Sequence, residues 1–212
     1  MCGRYAIECE EENIFLKEML EEINRKYAGQ PLLSRMKTGE IFPTQTAPVL
    51  ALEEGRSSPF LMNWGFPRPG RAPSAGGCII NARAETATEK NLFRASLQSR
   101  RCVVPSTGFY EWKSGENKKK KDKYLLYMQD SPNLYMAGFY NLFPDDQGSL
   151  QPAYVIITTA AKEWVSPIHD RMPLILDEKN YTEWLTDGPS AMKLLLRPCE
   201  ARLDAVLQTP SK

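Results

Sequence analysis

Tyr124-Leu125-Leu126-Tyr127-Met128, Ser131-Pro132-Asn133 and Leu134-Tyr135-Met136-Ala137-Gly138-Phe139-Tyr140 form the stretch that decides the fold. Two runs rich in aromatic and aliphatic side chains flank a cluster of turn formers and read as two strands separated by a turn. A third run, Ala153–Thr159, follows Pro144-Asp145-Asp146-Gln147-Gly148 and reads the same way. Upstream, Ala47–Leu52 and Phe60–Trp64 are expected strands joined across Glu53-Glu54-Gly55. Cys78–Ile80, Cys102–Pro105, Gly108–Lys113 and Leu174–Leu176 are further expected strands, and residues 3–8 form a short one that carries the terminus into the fold.

Helical patterning is confined to the flanks. From Glu10 to Tyr27, Ile14, Phe15, Met19, Leu20, Ile23 and Tyr27 recur at three- and four-residue spacing, with acidic residues crowding the first turns. Thr88–Ser99, Asp177–Leu185 and Ser190–Leu196 are expected helices, and residues 67–77 and 168–173 are expected loops. No internal repeat or linker divides residues 1–212. The expectation is one α+β domain with a bent, barrel-like, mainly antiparallel β-sheet flanked by helices.

Composition narrows the function. A formal net charge of +1 does not mark a basic nucleic-acid binder, so an anion-binding surface must be a local patch with acidic residues segregated elsewhere. The 5 Cys lack any CxxC spacing and the chain has 1 His, which argues against a zinc site and a disulfide framework and for a reducing cytosol. No long apolar run or signal peptide is visible, so the expected location is cytoplasmic. No metal or other cofactor is implied.

Residues that could carry chemistry are few. Removal of Met1 would make Cys2 the terminus and place a free α-amine beside a thiol. Such a 1,2-aminothiol condenses with aldehydes and closes a thiazolidine, and its groups titrate near neutrality, with reference values of about 7.7–8.0 for the amine and about 8.5 for the thiol. The plain alternative is that Cys merely happens to follow the initiator. His169 is the sole imidazole and lies in an irregular segment beside Arg171 and Pro173; a satisfied surface or core histidine is the alternative. Glu111, in Gly108-Phe109-Tyr110-Glu111-Trp112, is either solvated on an edge strand or held in an apolar pocket with a raised pKa.

Asn81 and Arg83 lie two apart and share a face if the extended conformation continues, an arrangement suited to a sugar or phosphate. An ordinary helix-approach turn would explain them as well. Trp64-Gly65-Phe66, beside an Arg-bearing loop, combines the ingredients of a single-strand stacking platform. Core packing explains one of these aromatics equally well. Lys118–Lys121 is expected at a hairpin tip, as a solvated turn or a phosphate clamp.

In order along the chain, Met1-Cys2-Gly3-Arg4-Tyr5, Trp64-Gly65, Asn81-Ala82-Arg83-Ala84-Glu85-Thr86, Arg101-Cys102-Val103-Val104-Pro105, Gly108–Trp112 and His169-Asp170-Arg171-Met172-Pro173 resemble the SOS-response-associated peptidase (SRAP) family. Its members shield abasic sites in single-stranded DNA, and the resemblance runs from residue 1 to about residue 185. It implies a monomer of SRAP fold that removes its own Met1 and binds single-stranded DNA containing abasic sites. The Cys2 amine would attack the ring-opened sugar aldehyde through lyase-like Schiff-base chemistry, and the thiol would close a thiazolidine crosslink.

By the same resemblance, Asn81 orients the sugar or the Cys2 amine, Glu111 does acid–base work around the Schiff base, and His169 serves ring opening and crosslink reversal. Arg4, Arg83 and Arg171 would hold flanking phosphates, and Trp64, Gly65 and Phe66 would lie where bases splay. A bacterial source would place the activity at the nucleoid. The chain departs from the family after Trp64-Gly65, where it has Phe66-Pro67-Arg68-Pro69-Gly70-Arg71 instead of a longer aliphatic, Trp-containing run. Two other classes share parts of the pattern. A class II glutamine amidotransferase also begins Met-Cys-Gly, but its glutamine-binding motifs are not visible; a non-catalytic single-strand binder would use the same Arg and aromatic residues.

Overall fold

Five strands close on themselves at the centre of the computed structural model, which describes residues 2–68, 77–114, 121–196 and 202–208. In chain order the strands are β1 (Tyr5–Ile7), β2 (Gly39–Ile41), β3 (Thr46–Glu53), β4 (Arg56–Trp64), β5 (Phe66–Pro67), β6 (Cys78–Ile79) and β7 (Asn81–Arg83). They continue as β8 (Arg101–Ser106), β9 (Gly108–Ser114), β10 (Lys121–Met128), β11 (Leu134–Pro144) and β12 (Leu150–Ala160). The last are β13 (Arg171–Pro173), β14 (Ile175–Leu176) and β15 (Leu203–Leu207). The helices are α1 (Ile14–Lys26), α2 (Ala84–Ala87), α3 (Asn91–Ser99), α4 (Glu178–Thr186) and α5 (Gly188–Leu196).

The barrel runs β12–β4–β3–β8–β11 and back to β12. Its contacts are antiparallel except β4 on β12, where Tyr154 lies beside Trp64. Strand β7 adds to β12 in parallel, with Asn81 beside Ile156, and β13 adds antiparallel farther along. Thr107 alone separates β8 from β9, which belongs to a second sheet ordered β15-β10-β9-β1-β2. The expected mainly antiparallel, barrel-like α+β fold is therefore present.

The barrel is filled by aromatic rings. Tyr5, Trp64 and Tyr154 are fully buried; Tyr5 meets Trp64 edge-on at 5.1 Å, and Trp64 stacks on Tyr154 at 6.4 Å. The buried tyrosine hydroxyls satisfy one another at 2.5 Å, as polar groups in a dry core must. Arg101 fastens helices to the barrel: it donates to Trp184 O and Leu185 O on α4 and to Leu97 O and Gln98 O on α3.

Several boundaries differ from expectation for local reasons. Helix α1 begins at Ile14 rather than Glu10, because the Asn13 side chain accepts from Leu16 N at 3.1 Å and caps it; the acidic residues precede the cap. Leu16, Met19 and Ile23 form its buried stripe. Part of the expected 168–173 loop is strand β13, which pairs Arg171 with Ala160. Strands β2 and β15 and helix α2 were not foreseen, since three to five residues carry too little periodicity. Most of the 67–77 loop, and Lys118–Lys120 of the lysine run, lie outside the described residues; Lys121 opens β10. Cys2, Cys9, Cys78 and Cys102 are unpaired thiols among the described residues, and Cys199 lies outside them.

Candidate active site

Strand β1 threads between β2 and β9, with Tyr5 opposite Ile41 on one side and Phe109 on the other. The pairing continues towards the terminus, because Tyr110 N donates to Arg4 O at 2.9 Å. This register brings the start of the chain alongside Glu111. Cys2 is fully buried; its carbonyl accepts from Asn81 Nδ2 at 2.8 Å, and its thiol points to Arg4 O at 3.6 Å. Burial pushes the Cys2 thiol well up, and the Glu111 carboxylate pushes it further, so the resting sulfur is a neutral thiol.

Asn81 reaches Cys2 because β7 is short and lies parallel to β12, with Ala82 inward and Arg83 outward. Its Oδ1 is buried and has no hydrogen-bond partner among the described residues, leaving an acceptor beside the terminus. Glu111 is 2% exposed on β9, and burial raises its carboxyl above the ordinary range, opposed in part by the charge on His169. Of the two readings of Glu111, the pocket is the one present.

His169 Nε2 lies 3.9 Å from Glu111 Oε2. Its Nδ1 accepts from Arg171 N at 2.9 Å and lies 2.8 Å from Asp170 Oδ1. These Nδ1 contacts belong to different protonation states of that nitrogen: a bare Nδ1 accepts from the amide, whereas a protonated Nδ1 donates to the carboxylate. Cys2, Asn81, Glu111 and His169 are thus brought into one cluster that joins an aminothiol terminus, an amide, a carboxyl with raised pKa and an imidazole.

The expected DNA-facing residues divide. Arg83 is exposed. Arg4 is part of a surface platform: its guanidinium lies over Phe42 at 4.2 Å and Trp112 at 5.0 Å, and Nη1 pairs with Glu40 at 3.0 Å. Lys123 joins Glu40 at 2.7 Å and covers Tyr110 at 4.0 Å. Arg171 is already engaged, with a two-point contact to Glu85 at 2.7 and 2.9 Å. Trp64 and Phe66 must be corrected. Both are fully buried, Trp64 Nε1 donates to Ile80 O, and Phe66 packs on Phe93, Phe139 and Phe143, so neither ring can stack on a base.

Gly65 between them has φ +118°, and a Cβ there would meet Cys78 Sγ at 2.7 Å, which accounts for glycine. Sequence reading missed Phe42 as a platform member, because its partner Trp112 is supplied by a distant strand.

Two cavities have linings that include none of the cluster residues. One of about 690 Å³ is lined by Arg35, Lys37 and Arg68 with Gly65, Asn63, Asp145 and Asp146 among others. The other, of about 620 Å³, is acidic, with Glu8, Glu10, Glu12 and Asp130. Among the described residues no group of three or more His, Cys, Asp or Glu side chains could hold a metal ion, and no helix is long and apolar enough to cross a membrane.

Comparison with known proteins shows the family and the fold. The family model described as SOS response associated peptidase (SRAP) matches residues 1–209. The abasic site processing protein YoaM of Bacillus subtilis is 33% identical over 207 residues, covering 95% of this chain and 87% of YoaM. YedK of Escherichia coli, also named an abasic site processing protein, is 30% identical over 209 residues, covering 94% of this chain and 87% of its own. A crystal structure of a Bacteroides thetaiotaomicron protein shares the fold, with a TM-score of 0.76 and 24% identity over 99% of this chain and 93% of that one.

Proposed function

Since the chain belongs to the SOS response associated peptidase (SRAP) family, we propose that it captures abasic sites in single-stranded DNA covalently, through Cys2 freed of Met1. The observation that carries this reading is the convergence of Asn81 on Cys2, with Glu111 and His169 beside it. The abasic sugar is mostly a closed hemiacetal, so a proton must move before any aldehyde is available. Glu111, raised by burial, supplies a carboxylic acid nearer neutral pH than an ordinary glutamate, and His169 supplies a second proton-transfer group whose Nε2 faces it.

The Cys2 amine then adds to C1′, and loss of one water leaves an imine. The buried neutral thiol enters second: sulfur bonds to the imine carbon and its proton passes to nitrogen, closing the thiazolidine. Overall, aldehyde and aminothiol become thiazolidine and water. The ring removes the imine that would otherwise drive strand scission. Asn81 holds the Cys2 carbonyl and offers Oδ1 to the amine. Arg4 with Phe42 and Trp112 supplies cation and ring faces for the strand, in place of Trp64 and Phe66.

The test is a denaturing gel of processed protein incubated with an oligonucleotide bearing one abasic site. A heat-resistant shifted band, absent in Cys2→Ala, is expected. Binding without a covalent band would overturn the reading and leave a non-catalytic single-strand binder. Met1 itself lies outside the described residues. Removal of Met1 by the site predicts that Glu111→Gln retains it, as read by intact mass, in cells where wild type loses it; complete processing of the variant would assign the step to another enzyme.

A further inference from the structure

Glu85 lies in the first turn of α2, and its carboxylate holds Arg171 at two points, Nη1 on Oε1 at 2.7 Å and Nη2 on Oε2 at 2.9 Å. Arg171 Nη2 also donates to Thr158 O on β12 at 2.6 Å. The guanidinium side chain is only 13% exposed, and it holds the Glu85 carboxyl below the usual carboxylate range. A planar fork bound to a carboxylate and a strand carbonyl has little rotational freedom. Residue 171 is therefore clamped to α2 and β12 through its side chain and to Ala160 through the β ladder. The backbone N–H of this clamped residue donates to His169 Nδ1 at 2.9 Å.

We propose that Glu85, acting through its fork on Arg171, is a positioning residue that sets the tautomer of His169 and keeps the ring proton on Nε2, the nitrogen facing Glu111. This inference rests on the acid–base role proposed above for His169. An Nδ1 that accepts a hydrogen bond carries no proton in the neutral ring, so the proton sits on Nε2. Asp170 works the other way, because its Oδ1 at 2.8 Å favours a proton on Nδ1. Its side chain is 86% exposed, so water competes for it, whereas the Arg171 amide is held by the fork and the ladder. Among the described residues, Glu111 from β9, Asp170 beside it, and Arg171 with its partner Glu85 from α2 are charged or titratable groups set around the imidazole. Loosening the fork hands Nδ1 to Asp170 and takes the proton off the nitrogen that faces Glu111. Arg171 then serves the site through its backbone amide as well as its guanidinium.

The sole His in the chain makes the tautomer directly readable by ¹⁵N NMR of the imidazole. In wild type with the ring neutral, the Nε2–H form is expected to dominate. In Glu85→Gln the population shifts severalfold towards Nδ1–H, the pH profile of crosslinking moves, and its rate falls by roughly tenfold, as for other residues that orient an imidazole from behind. Affinity for intact single-stranded DNA at fixed salt stays at the wild-type value. Arg171→Lys, which keeps the charge and loses the fork, should give the same tautomer shift. Wild-type tautomer ratios in both variants would overturn the inference, as would a loss of single-strand affinity with the ratio unmoved. Failure of wild type to crosslink abasic DNA is a separate outcome, which sinks the proposed function and leaves the tautomer measurement standing.

Discussion

Glu111 shows what a single buried carboxyl does to both reactivity and stability. Its pKa is raised, with burial as the leading cause, so the folded state favours the protonated form more than the unfolded chain does. Below the ordinary carboxylate range both states are protonated and the group is neutral to stability. As pH rises from that range through the raised folded value, the unfolded chain ionises first and wild type loses stability. Glu111→Gln removes this loss. Urea unfolding should find the variant more stable than wild type at neutral pH, by about 1.4 kcal/mol for each unit of elevation, with the gap closing in acid. A gap independent of pH, or wild type the more stable at pH 7, would remove the argument for a buried acid. The identity of Glu111 is legible in the sequence, but its burial is not: the pocket needs His169, which lies far along the chain, and a terminus placed by β1. Trp64 and Phe66 show the converse, since an aromatic beside arginines reads alike whether it faces DNA or the core.

Strand β9 is the element on which the site depends, for it carries Glu111, Trp112 and the partner row of β1. Gly108 begins it, and a Cβ there would meet Leu126 O at 2.7 Å and Leu125 Cδ1 at 2.9 Å. Backbone on the neighbouring strand cannot yield as a side-chain tip does. Gly108→Ala should therefore cost about 1–3 kcal/mol in urea unfolding and slow crosslinking by displacing Glu111 from Cys2; unchanged stability would mean that β9 and β10 can separate without penalty. The long strands were readable because β10, β11 and β12 are apolar runs separated by Ser-Pro-Asn and Asp-Asp-Gln-Gly turns. Helix α1 was readable in type but not in onset, because three glutamates before Asn13 mimic the acidic first turn that a helix favours. Strand β2 has three residues and exists only because β1 lies beside it, which no local pattern records.

Across the whole molecule, a net charge of +1 conceals an uneven distribution of charge. Glu8, Glu10, Glu12 and Asp130 line one cavity, whereas Arg35, Lys37 and Arg68 share another with Asp145 and Asp146, and Arg4 and Arg83 lie at the outer reach of the site. A strand that binds by backbone neutralisation loses affinity as salt rises, with a slope of about −0.7 per phosphate contact. Arg83→Gln should flatten the log–log salt dependence of single-strand binding by about 0.7, measured by fluorescence anisotropy; an unchanged slope would place the strand elsewhere. The barrel positions these groups by simple adjacency, since β12 aligns β4, β7 and β13 along its length. The place of β1 has a mechanical consequence as well. It is an inner strand, tied to β2 on one side and β9 on the other, and Cys2 lies just ahead of it. Tension on a DNA strand joined at Cys2 would load both rows of backbone bonds together, whereas an edge strand would unzip one bond at a time. On the function proposed above, Cys2 is where a captured strand would load the protein, and an inner strand shares that load between two neighbours.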